Sequence, residues 1–343
     1  MYKDEYNMSR ENTGRIYFID FIKFVFAIVI AIFHTGTGIL GGGRIAVEGF
    51  FMISGYLMMR SLQQAKTREE DIGISTVRFL SRKYISVIGY VIPSVIVSVI
   101  VKTVSGQTPV TYTKQNAPLL FFAFVLGRDF GFQGWYVNYI DWYLSAMMFA
   151  LAVLYPLVYK YKNFVKLTAV PTCMVVYGYM SFEYGSIAAH TGLAGNGIIQ
   201  VGIIRGLAGC LAGCLLYECV QKTSTLGLNN KGRFMVFVLE VLGYYWFFNI
   251  IALHPKSNYD YIAVFLIFGL LLVGISGISC VSSLFKHRWL GHLGVCSTLI
   301  ALNHSYWNES LEHLLESVSK SINPSEERGN MQLVEQNQKE NRA

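Results

Sequence analysis

A histidine, with an ordinary pKa near 6.5, can take a proton from a hydroxyl at neutral pH, and a nearby cation can hold an anion or steady an oxyanion. This chain puts such groups where they are costly. The stretch IYFIDFIKFVFAIVIAIFHTG carries Asp20, Lys23 and His34 within an apolar run. Ionisable side chains in such a run face a protein interior or a water-filled cavity rather than lipid. Lys23 and His34 are eleven residues apart, which sets them on nearly one helical face, about 16 Å apart along the axis. Asp20 precedes Lys23 by one turn and is expected to pair with it and orient the helix. His34 is the candidate general base, and transient acylation of its ring stays open beside that role.

Further candidates lie in other apolar runs. Arg205 sits well inside IIQVGIIRGLAGCLAGCLLY, where a guanidinium requires an acceptor; Gly209 and Gly213 beside it suit close helix packing. LGHLGVCSTLIALNHSYW brings His292, Ser297, Asn303 and His304 into one run, and two histidines beside Asn and Ser point to a polar cavity. AVEGFFMISGYLMMRSL holds Glu48, Ser54 and Gly55, the last permitting close helix contact. Arg78 and Arg82, one turn apart in VRFLSRKYISVIGYVIP, form a cationic face that fits phosphate binding and plain anchoring at the inner membrane surface equally well. The six cysteines show neither metal spacing nor a disulfide framework. Cys210 and Cys214, a turn apart, are read as small packing residues. No metal site is expected. Nucleophile-elbow, metalloprotease, P-loop and dinucleotide-binding patterns are all missing from the sequence.

The elements that position these groups must be membrane helices. Hydrophobic residues make up 53% of the 343 positions and charged residues 14%, with a mean hydropathy of +0.41; soluble domains carry about 25% charge. Nine runs near 16–34, 46–62, 84–101, 141–159, 165–182, 198–217, 234–253, 260–282 and 289–307 are long enough to span a bilayer. A tenth, 118–127, is half that length and predicts a short interfacial or re-entrant helix. The expected fold is therefore an all-α, polytopic transmembrane helix bundle. Lys and Arg cluster in alternate loops, which puts the N-terminus inside and 102–140 outside. That same asymmetry accounts for the net charge of +7 without nucleic acid, for which there is no basic-aromatic strip. The chain divides into a cytoplasmic segment 1–14, a transmembrane domain 15–308 and a polar, disordered tail 309–343.

Five stretches, in order, carry a wider pattern. IDFIKFVFAIVIAIFH fits an Arg-x10-His signature with Lys23 in the arginine's place. EGFFMISGYLM, RFLSRKYISVIGYVIP, DWYLSAMMFALAVLYPL and LGHLGVCSTLIALNH follow. Together they resemble the membrane acyltransferase-3 family, over residues 14–308. Met147 stands where many members carry Glu, and a span usual in the family after the last stretch gives way here to polar sequence.

The resemblance implies a multi-pass protein of the plasma membrane that moves an acyl group, acetyl by default, from acyl-coenzyme A to a hydroxyl of a surface glycan or glycolipid. It implies no permanently bound cofactor: the acyl-CoA donor and the saccharide acceptor are the partners, with the bilayer around them. His34, Lys23 and His304 are then the catalytic candidates. Arg78, Arg82, Arg205, Glu48 and Trp142 are the candidates for binding donor or acceptor, with Lys83 beside the first two. Two rivals stand against this expectation: a transporter, whose pathway would use the same intramembrane charges, and a degenerate membrane protein without catalysis.

Overall fold

The structure, a computed structural model, describes residues 14–131, 135, 137–138, 141–161, 163–189, 193–194, 199–254 and 257–322. Its long helices are α1 (Tyr17–His34), α2 (Ala46–Thr67), α3 (Ile72–Val104), α6 (Asp141–Lys160), α7 (Phe164–Tyr184), α8 (Val201–Thr223), α9 (Asn230–Leu253), α10 (Tyr259–Ser276) and α11 (Leu290–Ile322). Two short helices, α4 (Val110–Asn116) and α5 (Leu120–Phe124), lie between α3 and α6. The only strands among the described residues are an antiparallel pair of two residues each, β1 (Leu193–Ala194) and β2 (Ile199–Gln200), just before α8. The architecture is an all-α membrane bundle. Seven helices are long and apolar enough to cross a membrane, and that standard leaves out α7 and α11.

Local signals set several boundaries. Asp71 caps α3 by accepting from the backbone N–H groups of Gly73 and Ile74 at 2.8 and 3.0 Å. Asn229 caps α9 through Gly232 N–H. Pro93, Pro156 and Pro171 lie inside α3, α6 and α7, as membrane helices tolerate. The short run 118–127 does not form one helix. Pro118 opens a tight turn at Ala117–Leu119, α5 makes little more than one turn, and Leu126 takes a left-handed φ of 54°.

Helices in lipid associate through close packing rather than hydrophobic exclusion, and glycine placement shows where. A Cβ on Gly55 of α2 would lie 1.9 Å from the Cys210 carbonyl oxygen of α8, and one on Gly213 of α8 would lie 2.0 Å from the Met52 carbonyl oxygen. The two backbones therefore touch, and α8 is central, packing also against α6, α7 and α10. α3 and α9 turn most of their surface outward, to where lipid would be.

The first and last helices run side by side. Arg15 donates to Asp20 at 2.6 Å and to the Gly291 carbonyl at 2.8 Å, and Gly294 leaves space that the Asp20 carboxylate fills. Asp20 thus pairs with Arg15, not with Lys23 as expected: the extended residues before α1 let Arg15 fold back on the carboxylate. Residues 309–322, read from sequence as the start of a tail, continue α11. Lys102 at the end of α3 ties them down, donating to Glu309 at 2.5 Å. The rest of that tail, like residues 1–13, lies outside the described residues.

Candidate active site

The polar stripe of α1 faces a cavity of about 450 Å³ enclosed by α1, α2, α3, α6, α8 and α11. Lys23 and His34 both line it, so it extends about 16 Å along α1. Ile53, Leu57, Val87 and Leu302 make much of its wall apolar. Within it Ser54 donates to the Met147 sulfur at 3.2 Å, which gives the position where the family often has Glu a packing role here.

At the end near His34, α11 contributes His304. His304 Nε2 lies 3.1 Å from His34 Nδ1, with the ring centroids 4.7 Å apart. Two backbone carbonyls fix the tautomers. His304 Nδ1 is 3.0 Å from the Ile300 oxygen, and His34 Nδ1 is 2.9 Å from the Ile30 oxygen. A carbonyl can only accept, so both rings carry hydrogen on Nδ1. His304 Nε2 then accepts a share of the His34 Nδ1–H bond, and Nε2 of His34 is left as its basic nitrogen. A proton taken there yields an imidazolium whose Nδ1–H already has two acceptors.

The opposite end is cationic. Lys23 of α1 and Lys83 of α3 both face the cavity, and among the described residues neither makes a hydrogen bond or ion pair. Arg78 and Arg82 do not join them. They lie on the exposed face of α3, where Arg78 pairs with Glu70 at 2.6 Å. Arg68, donating to Glu70 at 2.8 Å, and Arg78 together hold that carboxyl below its usual range. Residues 82 and 83 are about 100° apart around a helix, so one faces outward and the other inward.

Arg205 is fully buried and fully engaged. Its Nε donates to Glu48 at 2.6 Å, Nη1 to the Ala188 carbonyl at 2.7 Å and Nη2 to the Arg44 carbonyl at 3.2 Å. Glu48, also fully buried, takes its second hydrogen bond from the Tyr177 hydroxyl at 2.5 Å. The Arg205 guanidinium lies 5.4 Å from the centre of the Trp142 ring, within cation–π range. Glu48 and Arg205 therefore form a strut joining α2, α7 and α8 at the His34 end, and Trp142 lines the cavity against it.

A family model described as an acyltransferase domain matches residues 16–309. The chain belongs to the acyltransferase-3 family. The match runs from just before α1 to the residue that Lys102 holds on α11, so it contains every group around the cavity except Arg15, which precedes it. No curated protein and no solved structure matches the chain. Membership makes the chain a multi-pass membrane acyltransferase.

Sequence reasoning missed one group of this acyltransferase's cavity, ranked another low, and gave no sign of a buried acid near Trp142. Arg44 lines the cavity beside Arg205, but its place in the loop between the first two spans carries no intramembrane signal. Lys83 was set behind two arginines. Asp129, in the turn Arg128–Phe130, is buried against α6 and α8 with its Oδ2 lacking a partner, and burial pushes its carboxyl up to about 7. A single Asp in a long loop gives no warning of burial. No group of His, Cys, Asp and Glu among the described residues could hold a metal.

Proposed function

We propose that this acyltransferase moves an acyl group, acetyl by default, from acyl-coenzyme A to a hydroxyl of a cell-surface glycan or glycolipid. The observation that supports it is a single cavity reaching from two ammonium groups that have no partner among the described residues, Lys23 and Lys83, to the His34–His304 pair. In this proposal the protein lies in the plasma membrane with its N-terminus inside, and α7 and α11 bring the spans to nine. The domain comprises residues 15–308. The donor enters from the cytoplasm with its phosphates at the lysine end, where Arg78 and Arg82 draw it to the inner surface. Its pantetheine arm lies along the apolar wall, and the thioester reaches His34.

The acceptor hydroxyl oxygen attacks the thioester carbonyl carbon while His34 Nε2 takes its proton. The tetrahedral oxyanion collapses, the C–S bond breaks, and the leaving thiolate takes the proton back from His34. The products are the ester and free coenzyme A. His304 accepts from the Nδ1–H of the base as it becomes an imidazolium, and Lys23 contributes positive potential to the transition state. Arg205, neutralised by Glu48, shapes the acceptor end and holds Trp142 in place. Trp142 offers the acceptor sugar an aromatic wall.

Two measurements test this. Purified protein should hydrolyse acetyl-CoA slowly, and His34→Ala should remove that activity about 10²–10⁴-fold. Mass spectrometry of surface glycans should show acyl groups lost with the gene and restored by wild type but not by His34→Ala. Restoration by His34→Ala at matched expression would overturn the proposal.

A further inference from the structure

The cavity wall carries five basic side chains, Arg15, Lys23, Arg44, Lys83 and Arg205, against one acid, Asp20. At the inner end Arg15 is neutralised by Asp20, and the two lysines are assigned to the donor in the proposal above. At the outer end Glu48 neutralises Arg205. Arg44 remains. Its Nη2 makes one long hydrogen bond, 3.3 Å, to Ser186 Oγ, while its Nε is buried and has no partner among the described residues. The nearest acid is not in contact with it: Ser186 intervenes, donating to Asp260 at 2.8 Å.

The backbone that carries Arg44 is held from several sides. Arg205 donates to its carbonyl, and Gly42 N–H donates to the Ile251 carbonyl of α9 at 2.8 Å. Gly43 packs so tightly on α1 that a Cβ would lie 2.9 Å from both the Val29 oxygen and Phe33 Cβ. Phe33 is the neighbour of His34, so the Arg44 guanidinium is pinned at the His34 end of the cavity with donor capacity unused. An N–H buried without an acceptor is costly, and a scaffold that fixes it in place keeps it ready for a ligand that supplies one.

The donor does not supply that ligand. Its phosphates lie at the other end, and a thioester brings no charge to His34. We infer that Arg44 binds an anionic group of the acceptor, a sugar carboxylate or the phosphate of a lipid-linked saccharide, and so selects acidic acceptors. The inference rests on the acyl-transfer proposal for its choice of ligand.

The test uses the full chain in lipid nanodiscs with coenzyme A at saturation, so that anion binding at the lysine end is blocked. Three kinds of probe are titrated: a glucuronate-containing disaccharide and its methyl ester; a disaccharide joined by diphosphate to an isoprenoid; and the same isoprenyl saccharide without phosphate. Wild type should prefer one anionic probe over its neutral twin by about 10–100-fold. Preference for the carboxylate identifies an acidic sugar, and preference for the diphosphate identifies a lipid carrier. Arg44→Gln should erase the preference while binding the neutral twin unchanged, which also reports that it is folded. Arg44→Lys should keep part of it. Equal binding of both members of each pair by wild type, or an undiminished preference in Arg44→Gln, overturns the inference. Coenzyme A that fails to bind wild type would count against the donor assignment, yet the Arg44 comparison would still be readable.

Discussion

Replacing His304 with leucine separates the two histidines of the site. The substitution keeps an apolar body in α11 but removes the Nε2 that accepts from His34 Nδ1 at 3.1 Å. His34 keeps its bond to the Ile30 carbonyl, so its tautomer survives and Nε2 is still the base. What is lost is one acceptor for a bond that strengthens as His34 becomes an imidazolium. A hydrogen bond between neutral groups contributes about 0.5–1.5 kcal/mol and one to a charged group about 1.5–3. Only the gain between ground and transition states affects turnover. That gain of about 1–1.5 kcal/mol is roughly a 5–12-fold loss in kcat, well short of the loss for His34→Ala. His304→Gln, whose amide oxygen can accept, should recover part of it. The assay is hydrolysis of radiolabelled acetyl-CoA by purified protein in nanodiscs, with each variant at matched concentration. A loss in His304→Leu equal to that in His34→Ala would refute the reasoning, because His304 would then be the base. No loss at all would refute it equally.

Lys83→Ala should weaken coenzyme A binding in calorimetry by about tenfold or more, and Arg78→Ala with Arg82→Ala should weaken it less, since those arginines lie outside the cavity; the reverse order would return the donor site to the exposed face. Lys23→Arg should retain activity that Lys23→Ala loses, measured as glycan acylation in a knockout strain. Glu48→Gln leaves Arg205 buried without its counter-charge and should cost about 3–5 kcal/mol, read as a lowered melting temperature in detergent; an unchanged melt would mean that the strut carries no stability. Asp129, with its carboxyl raised to about 7, holds a proton in the folded state that the unfolded chain gives up near pH 4. Its contribution to stability should therefore fall as pH rises from about 4 to 7 and level off above. Asp129→Asn should flatten that part of the melting profile, and an identical pH dependence in the variant would show that another group is responsible.

The helices were legible because lipid leaves the backbone few options. A span must be apolar, long and internally hydrogen-bonded, and each of the nine runs became a helix. The inward stripe of α1 was legible for the same reason, since Lys23 and His34 cannot face lipid at any low cost. Pairing was less so. Asp20 had two bases in reach, and the choice of Arg15 was settled by space at Gly291 and Gly294, more than 270 residues along the chain. Helical spacing gave Arg78 and Arg82 a common face but not its direction, which depends on what α3 packs against. Arg44 was invisible because its loop is ordinary in composition; only the Arg205 strut and the contact with α1 make it part of the site. His304 was placed in a polar cavity by its neighbours, but its contact with His34 is a property of how α1 and α11 lie together.

That contact also sets a timetable for biogenesis. The hydrogen bond between His34 and His304 joins residues 270 positions apart, and Arg15 waits slightly longer, 276 positions, for Gly291. At about 5–20 residues per second on the ribosome, the first helix enters the membrane roughly 15–55 s before the helix that covers its charged side. Throughout that interval Asp20, Lys23 and His34 must be sheltered by the insertion machinery or by helices already released, because lipid tails offer them nothing. A nascent chain that stops short of residue 290 would leave that side permanently uncovered, making the first span itself the signal by which a membrane quality-control protease could recognise an unfinished molecule.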